Sequence, residues 1–112
     1  MTNVATTEPT IQQLFDLTGR VALVTGASGF LGGAFARALA EAGASVVVGS
    51  RDRERARGVA AELPVTGGAE HHGVELDQTD ERSLHSGFDA AVAAADQIDI
   101  LINNGHAGDA HD

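Results

Sequence analysis

The segment RVALVTGASGFLGGAFARALAEAG, residues 20–43, constrains the fold more than any other part of the chain. A short apolar, β-rich run (20–25) passes directly into glycines at 26, 29 and 32. A helical pattern follows, with apolar residues at 31, 35, 38, 39 and 42. An unbroken apolar run predicts a strand buried on both faces, and Gly43 marks the end of the helix. A helix N-terminus leaves backbone N–H groups unpaired and carries partial positive charge, so a glycine turn between strand and helix makes an anion site. In that reading Gly26 makes the turn, Gly29 lets phosphate oxygens approach the backbone, Gly32 lets the helix lie close on the strand, and Ser28 donates a hydroxyl. The competing reading, glycines for turn and packing alone, is less favoured because the pattern opens the first strand–helix unit.

The rest of the chain repeats the alternation. SVVVG (45–49) predicts a second buried strand and RDRERARGVAAEL (51–63) a charged surface helix stopped by Pro64. HGVEL (72–76) predicts a third strand. TDERSLHSGFDAAVAAA opens with a capping signal and has apolar residues at 84, 88, 91, 92 and 95, so it predicts a helix. IDILIN (98–103) predicts a fourth strand. Order βαβαβαβ implies an α/β fold, a Rossmann-type doubly wound parallel sheet of four strands with right-handed crossovers. Residues 1–13 are polar and aperiodic and are expected to be a mobile leader. Residues 14–112 would then be the domain, with Leu14, Phe15 and Leu17 packing under the sheet edge and Gly19 turning the chain.

Charge and composition exclude several functions. The net charge is -9, and all seven basic residues are arginine. An acidic surface argues against non-specific binding to nucleic acid or anionic lipid. No stretch is apolar enough to span a membrane, and residues 1–13 lack the basic and apolar parts of a secretory signal, so a cytoplasmic location is expected. There is no cysteine, which excludes disulfides and thiolate chemistry. His71, His72, His85, His106 and His111, with the acids of HAGDAHD, offer no second cluster to complete a metal geometry, and no metal is expected; His71 and His72 read as loop residues.

On these motifs the chain resembles the short-chain dehydrogenases/reductases, over roughly residues 14–108. LVTGASGFLG is similar to that family's TGxxxGxG loop, with Phe30 standing where the middle glycine usually falls. The TGxxGxxG spacing is that of the extended, epimerase-like branch, whereas other features resemble the shorter branch. In dinucleotide folds an acid at the end of the second strand binds the ribose 2′-hydroxyl. Here Ser50 ends that strand and Arg51 follows, which favours a 2′-phosphate. The resemblance therefore implies NADP over NAD, although a one-residue slip would bring Asp52 there instead. Arg53, Arg55 and Arg57 read as a solvated helix face.

The resemblance further implies that Asp77 of VELDQTD meets the adenine amino group, with Gln78 beside it. In DILINNGHAG, Asn103 ties the central sheet together and Asn104 lies beside the adenine ribose. After that the chain departs from the family's NNAG: either Gly105-His106 replace Ala-Gly, or Ala107-Gly108 end the motif after an insertion. The expected cofactor-binding set is Gly26, Ser28, Gly29, Phe30, Leu31, Gly32, Ser50, Arg51, Asp77, Gln78 and Asn104. The family's chemistry uses a serine, a tyrosine and a lysine four residues after it. The chain has neither tyrosine nor lysine, and serines 28, 45, 50, 83 and 86 do not match the catalytic position. No catalytic residue is assigned. The expectation is a truncated cofactor-binding half of an oxidoreductase acting between a hydroxyl and a carbonyl, its fourth strand left open. The alternative is a non-catalytic dinucleotide-binding module or remnant. Either could be completed by another chain or by a second copy.

Overall fold

A computed structural model of the protein describes residues 8–104. Along the chain lie α1 (Ile11–Leu14), β1 (Val21–Thr25), α2 (Phe30–Glu41), β2 (Ser45–Ser50), α3 (Arg53–Glu62), β3 (His72–Glu75), α4 (Glu81–Ala95) and β4 (Ile100–Asn103). The four strands make one parallel sheet in the order β3-β2-β1-β4. Leu23 of β1 lies opposite Val47 of β2 on one side and Leu101 of β4 on the other. The expected doubly wound sheet is present, preceded by one helical turn.

Strand alternation builds two cores. Val24, Val46 and Val48 point into a layer with Ala36 and Ala40 of α2 and Ala56 and Ala60 of α3. Val21, Leu23, Val47, Val74 and Leu76 point to the other face, where Ala91 of α4 covers them. β1 and β2 therefore have apolar side chains on both faces, which is why they read as unbroken apolar runs. Each fully buried Leu or Val contributes about 2 kcal/mol of transfer free energy.

The helices dock by smaller residues than their patterns predict. On α2 the buried residues are Gly32, Ala36 and Ala40, while Leu31 and Phe35, expected inside, are exposed. On α4 they are Gly87 and Ala91, while Leu84, Phe88 and Val92 keep 41%, 42% and 37% of their surface in solvent. Small side chains let the helix backbones approach the sheet closely, so the small-residue stripe faces inward.

The region before β1 also differs from expectation. Residues 1–7 lie outside the described residues, but Ile11–Leu14 forms a helical turn within the stretch read as a leader. A reciprocal cap starts it: the Gln13 N–H donates to Thr10 Oγ1 at 3.1 Å and the Thr10 N–H to Gln13 Oε1 at 2.7 Å. Of Leu14, Phe15 and Leu17, only Leu17 packs on the core. The Leu17 N–H donates to the Ala42 carbonyl at 2.8 Å, so the chain is held at the end of α2 only from that point on. Gly19 then turns it into β1 with φ +85°.

α3 starts at Asp52, whose Oδ1 accepts from the Glu54 and Arg55 N–H groups at 2.9 and 3.2 Å. It ends at Leu63, held extended ahead of Pro64. β4 is an edge, bonded only to β1 among the described residues, and Leu101 is 56% exposed on it. No helix among the described residues is long and apolar enough to cross a membrane.

Candidate functional site

All four strands are parallel, so their C-terminal ends lie on one side of the sheet. The connections from β1 run through β2 to β3, and the chain then returns to place β4 on β1's other flank. Such a reversal opens a crevice beyond the strand ends, where ligands of doubly wound sheets bind. A cleft of about 670 Å³ lies there, within the usual range for a small-molecule site. Thr25 and Gly26 of the first strand end, Ser50 and Arg51 of the second, Leu76 and Asp77 of the third and Asn104 of the fourth all line it.

The glycine turn forms one wall. Gly26 has φ +65°, a left-handed conformation that glycine adopts without strain. Gly32 is required by space: a Cβ there would lie against the carbonyl oxygen of Gly26, 2.8 Å from its carbon and 2.9 Å from Ala27 Cα. Gly29 has no such demand, since an added Cβ would meet only Gly26 O at 3.6 Å. It is the N-cap of α2 and has no side chain to bond the first-turn N–H groups, and this helix start lies at the cleft wall. Phe30 and Leu31 follow at its lip, with Phe30 95% exposed.

Side-chain bonds fix the other walls. Ser50 Oγ donates to Ser28 Oγ at 3.2 Å and accepts from the Asp52 N–H at 3.3 Å, joining glycine turn to second strand end. Asp77 Oδ1 accepts from the Thr79 hydroxyl at 2.6 Å and the Thr79 N–H at 3.0 Å. The hydroxyl bond is the larger cause, with the N–H second, of a carboxyl held below the ordinary aspartate value; partial burial opposes them and the charge of Arg51 adds a smaller pull downward. The Thr25 hydroxyl donates to Asn103 Oδ1 at 3.0 Å and accepts the Asn104 N–H at 3.1 Å. Asn103 thus ties β4 to β1, as expected. Asn104 Nδ2 reaches the Gly26 carbonyl at 3.5 Å.

Of the predicted set, Gly26, Ser28, Gly29, Phe30, Leu31, Ser50, Arg51, Asp77, Gln78 and Asn104 line one cleft. Gly32 lies behind it, as a packing residue. Asp52 does not line it, because its carboxylate caps α3. The sequence reading missed Thr25, Leu76 and Arg55, which line the cleft as well. Thr25 and Leu76 could have been found from their places at strand ends. Gly105, His106, Ala107, Gly108 and His111 lie outside the described residues. Among the described residues no three His, Asp or Glu side chains gather to hold a metal.

The family model for the short chain dehydrogenases matches residues 20–111. The chain belongs to the short-chain dehydrogenase family. It is 41% identical over 88 residues to a 3-oxoacyl acyl-carrier-protein reductase of Aquifex aeolicus, covering 79% of this chain and 36% of that protein. It is 41% identical over 90 residues to a D-threitol dehydrogenase of Mycolicibacterium smegmatis, covering 80% and 34%. Among solved structures it resembles a short-chain dehydrogenase/reductase of Mycobacterium marinum, with TM-score 0.72 and 35% identity over 83% of this chain and 37% of that one. A hydroxysteroid dehydrogenase of Escherichia coli gives TM-score 0.70 and 33% identity over 78% and 35%. The chain spans about a third of the length of these short-chain dehydrogenases. The family binds NAD(P) cofactors.

Proposed function

We propose that the described residues are the cofactor-binding part of an NADP-preferring oxidoreductase that interconverts a hydroxyl, of an alcohol or a sugar, and a carbonyl. One observation carries the preference: the end of β2 offers Arg51 to the cleft, and the nearby acid, Asp52, is occupied in capping α3. A carboxylate facing the cleft there would bond a free ribose 2′-hydroxyl and repel a 2′-phosphate; a guanidinium does the reverse. In this reading the α2 N-terminus, with Gly26 and Gly29, holds the pyrophosphate, and Ser28 lies beside it. Asp77, whose Oδ2 has no partner among the described residues, accepts from the adenine amino group. Asn104 lies at the adenine ribose. Phe30, Leu31, Ser50 and Gln78 complete the walls. The bound cofactor supplies or accepts the hydride.

The 112 residues contain no tyrosine or lysine, so a Tyr/Lys proton-transfer pair has to come from outside them. That observation also favours a second reading, a dinucleotide-binding module without chemistry of its own. A cytoplasmic location and assembly with a second copy or a complementing chain belong to the proposal. Binding of nucleic acid does not, given the charge of -9.

Titration calorimetry with NADP⁺ and NAD⁺ tests the reading. The expected result is tighter binding of NADP⁺ by about tenfold, the worth of one charge-assisted bond. Equal affinity, or none for either, contradicts it. An assay of the chain alone with NADPH and simple aldehydes or ketones should give no turnover above background.

A further inference from the structure

At the end of β4 the chain reads Asn103-Asn104-Gly105, with glycine where the family's NNAG has alanine. The two asparagines carry the same amide and stand in different situations. Asn103 Oδ1 accepts the Thr25 hydroxyl at 3.0 Å. The backbone nitrogen next along from Asn103 is that of Asn104, and its N–H donates to Thr25 Oγ1 at 3.1 Å. One threonine thus holds both the Asn103 side chain and the nitrogen that follows it. The Asn104 side chain makes one bond among the described residues, from Nδ2 to the Gly26 carbonyl at 3.5 Å, a length at which a hydrogen bond is weak. It lines the open cleft and is only half-buried, so water has access to it. The residue after it is glycine, with no Cβ to hinder approach to its nitrogen and the widest choice of backbone angles.

We infer that Asn104 is a self-modification site, which loses its side-chain amide by cyclising onto the Gly105 nitrogen and thereby turns one wall of the cleft from neutral to anionic. The Gly105 nitrogen gives up its proton and attacks Asn104 Cγ. The Cγ–Nδ2 bond breaks, Nδ2 leaves as ammonia, and a five-membered imide closes. Water then opens the ring. Attack at Cγ yields aspartate; attack at the Asn104 main-chain carbonyl carbon yields isoaspartate, with the chain continuing through Cγ. One water enters and one ammonia departs, with no oxidant or reductant. The product cannot donate to the Gly26 carbonyl, so two acceptors face each other where one bond stood. It also adds a negative charge where the proposed function places an anionic nucleotide, and like charges repel. The conversion stands without that function; its effect on nucleotide binding rests on it.

The test ages the full chain at neutral and at mildly alkaline pH and maps its peptides by mass spectrometry, with fragmentation to separate residues 103 and 104. Asn104 should gain the mass difference between an amide and a carboxyl, faster at the higher pH, while Asn103 keeps its amide. Gly105→Ala should slow the conversion about tenfold, through the added Cβ and the narrower choice of backbone angles. The aged chain, and fresh Asn104→Asp, should bind NADP⁺ about fivefold more weakly than the fresh parent at low salt. A free peptide spanning residues 100–108 serves as control. If the peptide converts and Asn104 in the folded chain does not, the inference falls. Equal conversion of Asn103 and Asn104 also overturns it, as does an unchanged rate in Gly105→Ala. Undiminished NADP⁺ binding after conversion removes the effect assigned to the cleft. If the fresh parent binds no dinucleotide, the proposed function falls while conversion at Asn104 still upholds the inference.

Discussion

Gly29 and Gly32 look alike in the sequence and do different work. Gly32 has no room for a Cβ, whereas Gly29 has ordinary space and an extended backbone. Gly32→Ala should therefore force α2 away from β1 and lower the melting temperature strongly, at a cost of about 1–3 kcal/mol typical of overpacking. Gly29→Ala should cost about 1 kcal/mol at most, the difference between glycine and alanine at a helix N-cap, yet, under the proposed function, it should weaken NADP⁺ binding by placing a methyl where the phosphates are proposed to approach. A melting curve and a binding isotherm on each variant separate the two roles. If Gly29→Ala binds as the parent does, phosphate is not held at that amide. Asp99 shows a different kind of residue effect. Its carboxylate accepts the Val21 N–H at 2.8 Å and Gln97 Nε2 at 2.7 Å, and those bonds, Val21's first, hold it below the ordinary aspartate value. A carboxyl depressed in the folded state stabilises the fold above its unfolded value, about 3.9, and that support disappears as pH falls through the lower folded value. Urea midpoints of Asp99→Asn should accordingly fall less steeply between about pH 5 and pH 2.5 than those of the parent.

At the scale of elements, the order and type of the seven sheet and crossover elements were legible because each has a clean period or an apolar run. The inward stripe of the helices was not. Periodicity on α2 marks residues 31, 35, 38, 39 and 42 as one apolar face, but the sheet accepts the Gly32, Ala36 and Ala40 stripe beside it. Large apolar side chains dominate a sequence pattern, whereas close approach to a sheet selects small ones, and only the tertiary distance decides between them. The turn at Ile11–Leu14 was legible in Thr10-x-x-Gln13, a capping pair, and was masked by the polar composition around it. Most of the site could be read because strand ends and glycines carry it. Arg55 could not, since the sequence does not say which arginines pair with carboxylates and which line the cleft. His71, which reads as a loop residue, bridges β2 and the segment after α3: its Nδ1 accepts the Val46 N–H at 3.0 Å, so Nε2 carries the proton and bonds the Pro64 carbonyl at 2.8 Å. The ring takes the place of a ladder bond just ahead of β3.

For the molecule as a whole, the sheet has two edges among the described residues, β3 and β4, and β4 carries the exposed Leu101. β1 and β2 are paired on both flanks, whereas β3 and β4 each have one bonded flank among the described residues, and Leu84, Phe88 and Val92 stand half-exposed along α4. Free strand flanks and contiguous apolar surface promote association. The hydrodynamic radius of the chain should therefore rise with concentration in dynamic light scattering. Leu101→Lys, which places a charge on the exposed edge, should suppress that rise without lowering the melting temperature, since Leu101 leaves little apolar surface in the core. A radius independent of concentration in the parent would contradict this account.

The open flank of β4 also bears on how the cleft keeps its shape. Asn104 follows the strand whose outer flank has no partner among the described residues, so that wall of the cleft is held through β1, by Thr25 and the Asn103 amide. Whatever stiffens that flank, be it solvent conditions or another polypeptide, should tighten the proposed hold on a nucleotide without touching it.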